Sequence, residues 1–455
     1  LIRNKGPFLA FLTYQAIRSI LFNANFASHH NKFPGRVAGL HFKGEATKKI
    51  RKPLMPILLF LTLITCIDPF SPNLKGTTSI LIVDALLTNE NRSYAFQLSW
   101  TSQTQNTAPV MVAGASVTVR DKNGITANFT ETQAGVYRSD STQFLGETGN
   151  SYILAIKTSD GSEYISDTCT LYPVQPIDNI YFNKDQEFIN NGTEIQDGIR
   201  IFIDSENNGD GKYVRWLYTE WWKFSVPEPK EYDYINENDI RPVDQIKQVC
   251  YDNHSSDEIT IKSTASASSN KIEKQPILFI ASDQSDRLLI QYYIEIKQLS
   301  LSKTEFEFWD HMKEINEGGV DIFDKQPFSV PSNINNKNNP SELVLGYFQV
   351  SAVKPKSIYI TPDEISALNL PVYQYECDRI EVGPADYPPE TGITFDKIYE
   401  SYTGTGYNFI KPIYNITMSL VKLAFARDYC AICTLNGNLT KPDFWIDIES
   451  SQTKK

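Results

Sequence analysis

Histidines, cysteines and paired carboxylates are the side chains that most often do chemistry, and their placement here restricts it. Of five histidines, His29, His30 and His41 precede an apolar stretch at residues 54–65, which leaves His254 and His311 beyond it. A Ser-His-Asp or Cys-His system needs an imidazole beside a nucleophile. The surroundings of His254, "YDNHSSDE", read as a solvated loop, and His311 stands beside Trp309 on a predicted helix. No GxSxG, HExxH, P-loop or dinucleotide fingerprint occurs. No catalytic residue, cofactor or metal is therefore expected. Carboxylates are abundant enough for a glycosidase-type acid pair, but they fall in turns or alternate along strands, the pattern of a solvated face. "DSENNGDG", Asp204 to Gly211, offers oxygen ligands at alternate positions, as a calcium loop does at its start. Arg215 stands where that loop needs its final Glu, so a hairpin connection is the expectation.

The densest aromatic cluster is "YVRWLYTEWWKF", residues 213–224. As a strand, it places Val214, Trp216, Tyr218, Trp222 and Phe224 on one face, interrupted by Glu220. That face is expected to fill a core. The opposite face carries Tyr213, Leu217 and Trp221 between Arg215, Thr219 and Lys223. Arg215, Trp221 and Lys223 are the candidate binding surface, because an exposed aromatic platform flanked by cations suits a partner or ligand.

Compartment follows from "LMPILLFLTLITCIDPFSPN", residues 54–73. Leu54 to Thr65 is too short to span a bilayer, which takes about 20 apolar residues, and Pro56 would damage a buried helix. Lys48, Lys49, Arg51 and Lys52 precede it, the layout of an export signal. Leu63-Ile64-Thr65-Cys66 is similar to the lipobox of bacterial lipoproteins, which makes Cys66 the expected acylation site and first mature residue. No methionine precedes Met55, and residues 1–47 fit nothing downstream, so they read as an upstream extension. Residues 1–65 hold ten Lys and Arg against one acidic residue, so the net charge of −11 for the whole chain becomes about −20 beyond the signal. Such acidity is unsuited to nucleic acid or anionic lipid head groups. Membrane attachment would rest on acyl chains.

Export also favours pairing of cysteines. Cys250, Cys377, Cys430 and Cys433 are the disulfide candidates, with one bridge involving the Cys430/Cys433 pair; Cys169, in "SDTCTLYPV", reads as a small apolar residue on a strand. Cys430-Ala-Ile-Cys433 lacks the second pair of a zinc site and the βαβ setting of a redox motif.

The elements that must position these residues are mainly β. After a tether at 66–77, about seven short strands with Asn123-Gly124 and Asp160-Gly161 turns predict an immunoglobulin-like β-sandwich over 78–172. The prolines of "YPVQPIDNIYF" mark a boundary, and 177–447 reads as a larger β-rich domain with one or two short helices, followed by a tail at 448–455. Ser302 and Glu305 form a capping box for a helix near 303–317 whose apolar face is Phe308, Trp309, Met312 and Ile315, ended by Gly318-Gly319. A shorter helix is expected from Pro362, after Thr361.

"CIDPFSP", "FWDHMKEINEGGVDIFDKQPFSVPSNI", "SELVLGYFQVSAV" and the ending "CAICTLNGNLTKPDFW" resemble a Bacteroidota lipoprotein family known only as domain of unknown function 4249. The resemblance runs from Cys66 to about Trp445, departing where the family ending has a Gly-Gly pair and this chain has Asn436-Gly437-Asn438. It implies an outer-membrane lipoprotein, often encoded beside TonB-dependent receptors, and supplies no catalytic residues. The expected function is therefore a non-enzymatic accessory or binding partner of a TonB-dependent transporter, anchored to the outer membrane through its acyl group. A structural or adhesive surface protein is the alternative, and an exported carboxylate-dependent hydrolase the third reading.

Overall fold

The computed structural model describes residues 79–102, 108–140, 144–206, 211–317 and 332–448. Cys66 with its signal and tether, Gly318-Gly319, and the middle of the Asp204–Gly211 segment lie outside these residues.

The alternating runs of the N-terminal part become β1 (Leu81–Thr88), β2 (Ala95–Trp100), β3 (Val110–Met111), β4 (Ser116–Asp121), β5 (Thr126–Gln133), β6 (Val136–Ser139), β7 (Ser151–Lys157), β8 (Glu163–Ser166) and β9 (Cys169–Thr170). Asn123-Gly124 turns β4 into β5 and Asp160-Gly161 turns β7 into β8, each glycine at positive φ. Val117 and Val119 are buried while Thr118 and Arg120 are not, the period-two pattern of a half-buried strand.

The C-terminal part supplies β10 (Ile177–Ile189), β11 (Glu194–Glu206), β12 (Tyr213–Ser225), β13 (Tyr232–Asn236), β14 (Asp239–Pro242), β15 (Val249–Ser255), β16 (Thr260–Ser263), β17 (Lys271–Ala281) and β18 (Gln291–Ser300). Helix α1 (Lys303–Glu317) follows, then β19 (Ile334–Asn336), β20 (Val344–Ser351), β21 (Val353–Ile360) and α2 (Pro362–Ala367). The chain continues through β22 (Ile380–Val382), α3 (Phe395–Thr403), β23 (Tyr407–Tyr414), β24 (Leu420–Arg427) and α4 (Asp428–Ala431). The protein is thus mainly β, with four short helices among the described residues where one or two were expected. Both expected helices form. Ser302 Oγ accepts the Glu305 amide at 3.1 Å, and Thr361 with Glu364 makes a reciprocal capping box.

The expected boundary at 172–177 is a change of sheet and not of core. The N-terminal sheet runs β19-β8-β7-β4-β5-β6-β2-β1-β20, so two strands from beyond residue 330 complete both of its ends. β20 lies parallel to β1, with Leu81 opposite Val344 and Thr88 opposite Ser351. One hydrophobic cluster joins Leu81, Phe96, Tyr137 and Phe348 of this sheet to Ile201, Trp216 and Ile294. Sheets β10-β11-β17 and β15-β12-β18-β21, the latter with β16 also on β12, build the rest of that core. β13-β14 and β22-β24-β23 form a separate aromatic layer with α3 around Tyr234, Phe409 and Phe425.

The β1–β20 seam has no space at Gly346, where φ is +86° and an added Cβ would lie 1.9 Å from the Val83 carbonyl oxygen. At Gly124, φ is +88° but an added Cβ would meet no described residue within 4 Å other than its chain neighbours. Gly346→Ala should therefore lower stability by about 2 kcal/mol or more, and Gly124→Ala by only about 1 kcal/mol. Urea midpoints check this, and a Gly346→Ala midpoint equal to wild type contradicts the close seam.

Candidate functional site: the two faces of strand β12

β12 is central in its sheet. β18 runs along one edge, and β15 and β16 share the other. Its even-numbered face enters the core as expected, with Trp216, Tyr218, Trp222 and Phe224 all buried. Glu220 on the same face is 0 % exposed. A buried carboxylate is tolerable only when paired, and three groups reach it. Tyr292 donates its hydroxyl at 2.6 Å, while His254 Nδ1 and Arg287 Nη1 each lie 3.2 Å from Oε1. His254 is opposite Glu220 in the β12/β15 ladder, and Arg287 comes from the tight turn before β18. Next to Arg287, Asp286 accepts the Trp222 indole N–H at 3.0 Å and the Tyr375 hydroxyl at 2.7 Å. Pairing with Glu220, opposed by burial, holds the His254 imidazole above its ordinary 6.5. His254 is thus a strand residue in an ionic cluster, not the loop residue its neighbours suggested.

The odd-numbered face was expected to present Arg215, Trp221 and Lys223 together as an exposed surface. The structure separates and covers them. Arg215 is 6 % exposed beneath α1, its guanidinium 3.4 Å from the centre of the Trp309 ring and its Nη1 3.4 Å from Gln349 Oε1. Burial lowers its pKa to about 10. Glu305, on the buried side of α1, is raised by burial to about 8. Among the described residues its Oε1, Arg215 Nε and Trp309 Nε1 have no hydrogen-bond partner. The helix covers this end because Glu305, Phe308, Trp309 and Met312 all face inward at helical spacing.

Trp221 and Lys223 lie at the other end, under the last described stretch of the chain. Phe444 packs on Trp221 at 5.6 Å and on Tyr293 at 4.7 Å between ring centres, and Trp445 packs on Tyr251 at 5.2 Å and on Tyr359 at 5.8 Å. Lys223 Nζ is 2.8 Å from Asp447, whose other oxygen is 2.8 Å from Lys441 Nζ. The two lysines pull the Asp447 carboxyl down to about 2. Composition predicted a platform. It could not show that Phe444 and Asp447, 223 and 224 positions further along than Trp221 and Lys223, would lie on it.

The disulfide candidates pair as Cys250–Cys433 and Cys377–Cys430, with Cα separations of 5.7 and 5.9 Å. Each bridge therefore uses one member of the Cys430/Cys433 pair. The first fastens the turn after α4 to β15. The second fastens α4 to the segment before β22. Cys169 is a free thiol on β9, raised by burial to about 12, with the Asn333 side-chain amide 3.1 Å from its sulfur.

An open groove of about 420 Å³ lies between the ends of β10, β11 and β17, lined by Asp178, Tyr181, Asp204, Glu206, Lys271 and Lys274 among others. Asp204 there accepts the Lys274 amide at 2.7 Å and the Tyr181 hydroxyl at 3.2 Å. Among the described residues, no group of three or more His, Cys, Asp or Glu side chains could hold a metal ion.

Residues 67–357 match the family described as "Domain of unknown function (DUF4249)", and the chain belongs to that family. The match takes in β12 and the three strands beside it, and ends before β22. No curated protein matches the chain.

The Glu220–His254 contact has a pH signature. A histidine whose pKa is raised by folding adds stability below its ordinary 6.5, and that contribution is lost as pH rises through the folded value. The margin of wild type over His254→Asn in urea midpoint should therefore be widest near about pH 5.5 and narrow toward about pH 8.5. A margin constant or growing with pH contradicts the pairing.

Proposed function

We propose that the mature chain is an exported outer-membrane lipoprotein, held by acyl groups on Cys66, that acts without catalysis as an accessory or binding partner of a TonB-dependent transporter. The observation that carries this reading is the pair of disulfides, Cys250–Cys433 and Cys377–Cys430. Such bridges persist in oxidising compartments outside the cytoplasm. They agree with the export signal ahead of Cys66 and with the strongly acidic mature composition. The Bacteroidota resemblance supports the same compartment and the same neighbours.

Several features suit a binding role. The strands of the N-terminal sheet lie in one hydrogen-bonded order, β19-β8-β7-β4-β5-β6-β2-β1-β20, a framework that presents loops and edges. Phe188 and Ile195 face one another at the end of the long β10–β11 hairpin and are both exposed. Ile416 and Met418 are exposed in the turn between β23 and β24. Among the described residues no helix is long and apolar enough to cross a membrane. In this reading the attachment is the lipid itself, where two or more chains give stable anchoring.

Affinity purification of the tagged mature protein, from membranes solubilised in several mild detergents, tests the proposal. A TonB-dependent transporter identified by mass spectrometry in the eluate is the expected result. Recovery of the lipoprotein alone in every detergent contradicts it.

A further inference from the structure

The segment covering Trp221 and Tyr293 is bound as a peptide is bound, rather than folded in as a strand. Residues 442–448 form no ladder with the sheet beneath them. Side chains of the sheet read their backbone instead. Gln291 donates to the Ile446 carbonyl at 2.7 Å and accepts the Ile448 amide at 3.1 Å. The Tyr359 hydroxyl donates to the Phe444 carbonyl at 2.9 Å and accepts the Ile446 amide at 3.0 Å. Beside these two backbone clamps, Phe444 and Trp445 enter neighbouring aromatic sites, and Asp447 meets Lys223. Two aromatic anchors, backbone hydrogen bonds and a charge at one end are the parts of an extended-peptide site.

The segment is not an optimal occupant. Trp445 is 3 % exposed, yet its indole N–H has no acceptor among the described residues, and an orphaned buried donor is destabilising. Phe444 remains 43 % and Ile446 65 % exposed. The segment's advantage is its covalent attachment, which raises its local concentration to the order of millimolar.

We propose that the face formed by Trp221, Tyr251, Gln291, Tyr293 and Tyr359 is a docking site for an extended segment of a partner protein, with residues 442–448 as its ligand in cis. The partner segment carries two adjacent aromatic residues and a carboxylate two positions after the second. The site stands independently of the transporter association proposed above.

Fluorescence anisotropy with a labelled peptide of residues 441–448, Lys-Pro-Asp-Phe-Trp-Ile-Asp-Ile, tests the site on the full mature chain. The double variant Phe444→Ala/Trp445→Ala, which cannot fill its own site, should bind the peptide at least about tenfold more tightly than wild type. Adding Gln291→Ala to that variant should weaken binding by about fivefold or more. Asp447→Lys keeps both anchors and changes a surface charge, so it serves if the double variant folds poorly; it should raise peptide binding several-fold over wild type. Absence of saturable binding to a folded double variant, indifference to Gln291→Ala, or equal binding by Asp447→Lys and wild type would each overturn the proposal. So would a concentration-dependent dimer of wild type that Asp447→Lys abolishes in light scattering, since it would assign the face to exchange of this segment between two copies.

Discussion

A carboxylate and a guanidinium, buried on opposite faces of one strand, impose the constraint that organises this protein. Glu220 and Arg215 lie five residues apart on β12, and both are buried. Removing one partner from a buried ion pair costs about 3–5 kcal/mol because the remaining charge stays uncompensated. β15 and the turn before β18 are therefore pinned to β12 by His254 and Arg287, in addition to their own ladders. On the reverse face, α1 is positioned by the stacking of Trp309 on Arg215 as well as by its apolar stripe. The aromatic residues that share β12 with these charges supply the burial that offsets their desolvation.

This spine also explains how the two ends of the described structure are held. β1 and β20 close the N-terminal sheet from positions more than 250 residues apart in sequence, and the same core continues to β12. Cys250, on β15, carries the fastening outward to Cys433. Immediately after that bridge, Asn438 exchanges two 2.8 Å backbone hydrogen bonds with Tyr251. Gly437 makes this approach possible, since a Cβ there would meet Phe224 at 2.7 Å and the Tyr251 carbonyl oxygen at 2.8 Å. The C-terminal segment therefore starts from a fixed point on the sheet before it crosses to Trp221.

Local chemistry made much of the fold legible. Asn123-Gly124, Asp160-Gly161, Ser302 with Glu305, and Thr361 before Pro362 each mark a turn or cap, because their geometry depends on residues within a few positions. What sequence reading missed depends on residues far apart. The run Leu81–Thr88 is buried on both faces along most of its length, the pattern of a parallel strand covered on either side. Its partner 263 positions onward at Val344 left no local trace. Alternation placed Arg215, Trp221 and Lys223 on one face, and could not show that α1 would cover the first and residues 444–447 the others. The cysteine pairing was open for the same reason, since it is fixed by which surfaces meet. Helix α3, longer than α2, escaped notice because its cap Thr394 is not followed by a proline as Thr361 is.

Hydrogen exchange along the chain, resolved by mass spectrometry, measures directly whether β12 is a rigid platform carrying a detachable segment. Amides of β12 should exchange only with global unfolding, whereas those of Phe444 to Ile448 should exchange orders of magnitude faster through local opening. Equal protection of the segment and the strand, lost together in denaturant, would contradict it and make residues 442–448 an integral part of the fold.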